Sequence, residues 1–214
     1  LRVRDQIHDA LRDHDVKMQS RDFETRVSDL LNRVGLRREV AKMYPHELSG
    51  GMKQRVCIAI AISLRPKVII ADEPTSALDV VVQRQVMDTL EAVQEDLGAS
   101  IILIGHDMGL MAQVAHRVGI MYAGDLVEIA DVKEIFKEPL HPYTQLLIAS
   151  LPSLDERGSF KGIPGLPPSL LDRPKGCPFR LRCPFAMERC AVEAPELREV
   201  RPGRWVSCHL HSVN

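Results

Sequence analysis

The sequence is poor in aromatic side chains, carries no surplus of either charge and has no long apolar run. Each shortage excludes something. Aromatics make up 4% of the chain, so a core must be built from Val, Ile, Leu, Met and Ala. Lys and Arg number 28 against 29 Asp and Glu, for a net charge of −1 and a pI of about 6.8. That balance leaves no basic stripe to follow a phosphate backbone, so no nucleic-acid partner is expected. No apolar stretch approaches the roughly 20 residues that span a bilayer. The opening Leu1-Arg2-Val3-Arg4-Asp5 is charged and lacks the apolar core of a secretory leader. A cytosolic location is the default expectation. The 214 residues are enough for one sizeable core and a small appendage.

What is present centres on one stretch. Val68-Ile69-Ile70-Ala71 runs into Asp72 and Glu73, then Pro74 and Thr75. So short an apolar run, bounded by Pro66 and Pro74, reads as a fully buried strand of a parallel sheet. In open α/β sheets ligands sit beyond the carboxyl ends of the strands, where Asp72 and Glu73 emerge. One carboxylate beside a phosphate can hold Mg²⁺ through water, and the next can orient or deprotonate an attacking water. Alone, an Asp-Glu pair more often merely caps the following helix. Three further strings narrow the choice. Upstream stands Leu48-Ser49-Gly50-Gly51-Met52-Lys53-Gln54-Arg55, in which Ser49 is a good N-cap type and the glycines let a ligand approach helix N-terminal amides. Downstream stands Ser76-Ala77-Leu78-Asp79. Further on, Ile101-Ile102-Leu103-Ile104-Gly105-His106-Asp107 reads as a second buried strand, ending in a histidine.

In this order and at these spacings, the four strings resemble the ATP-binding subunit of an ABC transporter. The fold this implies is α/β: the C-terminal portion of an ABC-type nucleotide-binding domain, a helical subdomain plus a parallel-strand core, followed by a small Cys-rich tail domain. The resemblance makes Ser49, Gly50, Gly51 and Gln54 the signature motif, which contacts the γ-phosphate of ATP held by the other protomer. Asp72 becomes the Walker B aspartate that holds Mg²⁺ through water. Glu73 becomes the catalytic carboxylate, Asp79 the D-loop aspartate and His106 the switch histidine. Met52 stands where glutamine is most common in the family. His141-Pro142-Tyr143-Thr144 resembles the branch that imports oligopeptides, dipeptides or nickel. The partners implied are a second ATPase subunit, two membrane-spanning permease subunits and an extracytoplasmic binding protein, with the chain at the cytoplasmic face of the membrane.

The rest of the chain supplies supports. Val3, Ile7 and Leu11 make the stripe of a first helix, and Phe23, Val27, Leu30, Leu31 and Val34 that of a second, stopped by Gly35. A short segment over 37–43 follows. The signature opens a helix over 52–64, in which Cys57 reads as a buried small residue. Asp79 opens a helix carrying Val86, Leu90, Val93 and Leu97, ended by Gly98. Residues 119–122 and 126–129 read as a hairpin, and Pro142 starts a helix with Leu146, Leu147 and Leu151 to pack. The expected domains are 1–63, 64–137, 138–176 and 177–214, with 152–176 a Pro/Gly-rich loop.

The tail holds four of the five cysteines, Cys177, Cys183, Cys190 and Cys208, spaced C-x5-C-x6-C-x17-C. Disulfides do not suit a cytosolic protein. Zinc on four thiolates is possible, but the paired short spacing of zinc sites is missing. An iron–sulfur cluster tolerates wider spacing. The tail also resembles peptide-importer ATPases in which four cysteines hold a [4Fe–4S] cluster, here a staple for a short Pro- and Gly-rich segment.

No G-x-x-x-x-G-K-[ST] occurs in the chain. That loop cradles nucleotide phosphates and supplies a lysine to them. The resemblance therefore implies a subunit lacking its N-terminal part, unable by itself to bind ATP tightly or hydrolyse it, and with an open sheet edge. Two other readings stay open: a metal-stapled scaffold or remnant that never turns over ATP, and an ABC ATPase not tied to transport. The His-Pro-Tyr-Thr string and the cysteines argue against the latter.

Overall fold

The structure is a computed structural model and describes residues 1–16, 19–151 and 162–211. The chain divides into two compact units, Leu1–His106 and Asp107–Asn214. The first ten residues of the expected 152–176 loop lie outside the described residues.

The first unit begins with two amphipathic helices, α1 (Val3–Asp13) and α2 (Ser20–Arg33). Val3, Ile7 and Leu11 of α1 and Val27, Leu30 and Leu31 of α2 are buried, as their spacing requires. Gly35, at φ +69, takes the left-handed turn beyond α2 that a side chain resists. The segment over 37–43 is a 3-10 turn, Arg38–Lys42. Helix α3 (Gly50–Ile62) buries Val56, Ile58, Ala59 and Ile62. Cys57 falls on the opposite face and is exposed, so its expected burial is corrected by the helix phase.

Strand β1 (Val68–Asp72), helix α4 (Val80–Leu97) and strand β2 (Ser100–Ile104) form a βαβ unit with the strands parallel and in register. Asp79 caps α4, and Gly98 ends it in the left-handed conformation. The fully buried strands expected here are half buried. Ile69 and Ala71 lie inside, while Val68 (52%), Ile70 (67%), Ile102 (52%) and Ile104 (47%) are exposed. Parallel pairing sets Ile70 beside Ile102 and Asp72 beside Ile104, so the exposed side chains share one face. Sequence hydrophobicity registers both faces of a strand; in this chain only one is covered.

The second unit is built on an antiparallel sheet ordered β3-β4-β6-β5, from β3 (Arg117–Tyr122), β4 (Asp125–Asp131), β5 (Arg198–Arg201) and β6 (Arg204–Val206). Ala123 (φ +51) and Gly124 (φ +88) make the two-residue turn between β3 and β4, with the positive φ pair of a type I′ turn. Short helices α5 (Met108–Val114), α6 (Val132–Lys137), α7 (Pro142–Ala149) and α8 (Arg189–Val192) complete the unit. Its core joins Val118, Ile120, Tyr122, Val127, Ala130 and Ile135 to Phe179, Cys177 and Cys190 of the tail. Strands β5 and β6 went unread in the sequence. Their signal is Pro202-Gly203, with Gly203 at φ +74, between two very short β-forming runs.

Candidate functional site

Register brings the catalytic candidates together. Asp72 is the last residue of β1 and pairs with Ile104, the last of β2. One residue further, the Glu73 amide donates to the Ile104 carbonyl at 2.9 Å. Glu73 then turns at φ +43, which for a residue bearing a Cβ costs about 1–2 kcal/mol. Two residues beyond β2, the His106 ring reaches back, and its Nδ1 lies 3.1 Å from Glu73 Oε1. An ionised carboxylate only accepts, so in this contact Nδ1 is the donor. Both side chains remain open to solvent, at 48% for Glu73 and 82% for His106, and Asp72 beside them is exposed. The arrangement offers one carboxylate for a hydrated cation, a second for a water, and an imidazole that fixes the second in place.

Downstream of Glu73 the chain turns tightly. Ser76 N–H donates to the Glu73 carbonyl at 3.1 Å, and Leu78 N–H to that of Thr75 at 3.3 Å. Asp79 Oδ1 accepts from the Val82 amide at 3.0 Å, and the Gln83 side chain donates to the Thr75 carbonyl at 3.3 Å. In the signature string, Ser49 Oγ accepts from the Met52 amide at 3.3 Å and so caps α3. Gly51 is buried, Gln54 half buried, and Ser49 and Gly50 exposed.

The four tail cysteines line one small cavity of about 10 Å³, together with His141, Phe179 and His209. That is room for about one water. The Cys177 amide donates to the Cys190 carbonyl at 2.8 Å, and a Cβ at Gly176 would lie 2.2 Å from that oxygen. Only glycine therefore brings Cys177 so close to Cys190. All five cysteines are free thiols. Burial raises the Cys177 and Cys183 thiols and pushes Cys208 up to about 11, so without metal these three stay protonated at neutral pH. Among the described residues no three His, Cys, Asp or Glu side chains are gathered closely enough to hold a single ion. The four cysteines line that one cavity, and four thiols are the donor type a thiolate-bound centre uses. A cluster spans its ligands more widely than one ion does.

The His-Pro-Tyr-Thr string has a structural task that was not read from sequence. His141 caps α7, its Nδ1 accepting from the Tyr143 amide at 3.0 Å. Burial, with a smaller push from His211, lowers its pKa to about 4, which keeps the ring neutral as this acceptor role requires. Glu128, fully buried, accepts from the amides of Leu140 and His141 at 2.8 Å each. It also accepts from Arg204 of β6 at 3.3 Å. The rings of Tyr122, Tyr143 and Phe179 pack together, and Phe179 also lies 5.8 Å from the His141 ring, centre to centre.

A βαβ unit ending in a Glu–His contact, preceded by a Ser-Gly-Gly helix start, fits the fold of an ABC-type nucleotide-binding domain. The comparisons agree. The ABC transporter model matches residues 2–76, and the model for the oligopeptide/dipeptide transporter C-terminal region matches 127–190. The chain is 44% identical over 196 residues to the oligopeptide transport ATP-binding protein AppF of Bacillus subtilis, covering 90% of this chain and 60% of that protein. It is 46% identical over 187 residues to the dipeptide transport ATP-binding protein DppD of Escherichia coli, covering 86% and 57%. It is 44% identical over 211 residues to the oligopeptide transport ATP-binding protein OppD of Escherichia coli, covering 97% and 62%. Among solved structures, CbiO1 of Clostridium perfringens, part of an ABC transporter complex, aligns with a TM-score of 0.57 and 31% identity over 64% of this chain and 53% of its own. A metal-chelate-type ABC transporter at 24% identity aligns with a TM-score of 0.60, over 71% and 59%. The chain is a homologue of the ATP-binding subunits of oligopeptide and dipeptide ABC transporters. It spans about six-tenths of the length of these curated relatives. Among the described residues no helix is long and apolar enough to cross a membrane.

Proposed function

We infer that the chain is part of an ATPase subunit that powers peptide import across the cytoplasmic membrane. The observation that carries this reading is the 3.1 Å contact between Glu73 and His106 at the ends of two in-register parallel strands. In the proposed mechanism two subunits close head to tail on ATP. Glu73 orients a water and takes its proton as it attacks the γ-phosphate, the bond to the β–γ bridging oxygen breaks and ADP leaves, and His106 holds Glu73 and bonds the same phosphate. Asp72 would hold Mg²⁺ through water, and the ion would neutralise charge on the phosphates. Ser49, Gly50, Gly51 and Gln54 complete the site on the other subunit's nucleotide, and Asp79 reaches across the same interface.

The partners in this reading are a second ATPase subunit, two permease subunits and an extracytoplasmic binding protein, with the chain docked on the cytoplasmic face. Residues 1–63 act as the helical subdomain, 64–137 as the catalytic core, 138–176 as the branch-specific helix and linker, and 177–214 as the tail. Cys177, Cys183, Cys190 and Cys208 would hold a [4Fe–4S] cluster, which would supply a rigid cross-link within the tail. The four thiols on one cavity support it, and zinc is the alternative.

The transporter reconstituted in vesicles tests the proposal. ATP hydrolysis should rise when binding protein and peptide are added, and His106→Ala should lower turnover by roughly 10²-fold. Hydrolysis indifferent to peptide would overturn the cargo assignment. Iron analysis of anaerobically purified protein tests the tail, with about four irons per chain expected for the cluster. One zinc and no visible absorbance would replace it.

A further inference from the structure

Gly51 sits in the first turn of α3, is buried and does not have a left-handed backbone, so its φ does not call for glycine. Packing does. A Cβ at Gly51 would lie 2.5 Å from Cγ1 of Val82, on the first turn of α4. A Cβ at Gly50 would meet Leu78 Cδ2 at 2.8 Å, but that is the far end of a side chain that can swing. Val82 cannot yield in the same way, because a β-branched side chain in a helix has essentially one χ1 rotamer.

We propose that Val82 is a positioning residue for ATP hydrolysis, seating the signature turn of α3 on the Asp79 loop of its own chain. The proposal rests on the ATPase reading above and names the contact through which one chain serves two nucleotides. Val82 is held at both ends, its amide donating to Asp79 Oδ1 at 3.0 Å and its side chain resting on Gly51. From there a hydrogen-bonded run leads back to the catalytic carboxylate. The Gln83 side chain and the Leu78 amide both donate to the Thr75 carbonyl, and the Ser76 amide donates to that of Glu73. Glu73 serves one nucleotide and Ser49 to Gly51 serve the other, so Val82 ties the two half-sites of one chain together. The missing side chain at Gly51 is then required by Val82, and not only by the approach of a phosphate.

A rescue experiment separates the two requirements. In Gly51→Ala the new Cβ strikes Cγ1 of Val82. In Gly51→Ala/Val82→Ala that atom is gone, and the remaining neighbour is Val82 Cβ at 3.9 Å, an ordinary contact. Gly51→Ala should lower the thermal midpoint of the chain by about 5 °C. In the assembled transporter it should lower kcat about tenfold, with KM for MgATP changing less than about twofold. The double variant should recover the midpoint and raise kcat at least about threefold above that of Gly51→Ala alone. Val82→Ile, which keeps the β-branch and its single helical rotamer, should behave as the unsubstituted protein, whereas Val82→Ala should lower kcat alone. That pair of variants decides the matter even if Gly51→Ala does not fold. Recovery of the midpoint without recovery of kcat would overturn the proposal, since the glycine would then be needed by the nucleotide itself. No recovery of either would overturn it too. An unsubstituted assembly that hydrolyses no ATP would instead overturn the ATPase reading, while the midpoints still report whether Val82 is the seat.

Discussion

Removing either partner of the buried Glu128–Arg204 pair should unfold the second unit far more readily than any surface change. Both side chains are essentially without solvent, and each has several tasks. Glu128 accepts the first two amides of the His141 turn at 2.8 Å and Arg204 at 3.3 Å. Arg204 also donates to the Glu138 carbonyl and lies 4.0 Å from Glu134. Arg204→Met therefore leaves a buried carboxylate that keeps its amide donors but loses its counter-charge. Glu128→Gln leaves a buried guanidinium and turns an amide donor towards other donors. Stranding one charge of a buried pair costs about 3–5 kcal/mol. In a unit of about 100 residues each kcal/mol moves the midpoint by roughly 4–8 °C. Either variant should thus lower the midpoint of that unit by at least about 12 °C, read by calorimetry or circular dichroism. The double variant should lose less than the sum of the singles, by about 1–3 kcal/mol of coupling. A shift below about 4 °C for Arg204→Met, or strict additivity, would refute the reasoning.

Three smaller predictions follow from single groups. Arg65 stands exposed just past α3 at φ +52, so Arg65→Gly should stabilise the first unit by about 1 kcal/mol in urea titration, and destabilisation would contradict the strain argument. His141, lowered to about 4 when folded against 6.5 when free, is more readily protonated in the unfolded chain. Its contribution is therefore fully present above pH 6.5 and is lost as pH falls from there towards 4, about 3 kcal/mol in all. His141→Asn, which keeps a capping acceptor, should flatten that part of the stability-against-pH curve, and an unchanged slope would remove His141 as its source. In the metal-free chain Cys208, pushed up to about 11, should hold about a hundredfold less thiolate than an ordinary thiol. Iodoacetamide at pH 8 should then label exposed Cys57 well before Cys208, as mass spectrometry of peptides would report; equal rates would contradict the burial.

The readable features were those whose cause is local. The stripes of α1 and α2, the Asp79 cap and the Gly98 stop of α4, the hairpin around Gly124 and the helix begun by Pro142 all follow from spacing and from single residues with one conformational use. Glu73 and His106 were each singled out in the sequence, but their meeting was not, because it depends on two short apolar runs ending level with each other in one βαβ unit. What escaped depends on partners far apart in sequence. Glu128 looked like one more hairpin residue, because its partner Arg204 is 76 positions away. Strands β5 and β6 are too short to show alternation and exist by pairing with β4. The exposure of Ile70 and Ile102 could not be read either, since composition records that a strand is apolar and not whether both its faces are covered. Gly51 looked like a glycine kept for a ligand, and only the approach of Val82 supplies its second cause.

The most direct test of the central claim is Glu73→Gln in the assembled transporter, with ATP binding and ATP turnover measured on the same sample. The amide keeps the shape and the contact with His106 but cannot take a proton. Turnover should fall by roughly 10²–10⁴ while ATP remains bound. Turnover close to that of the unsubstituted protein would contradict the account, because the carboxylate beside His106 would then have no part in the reaction.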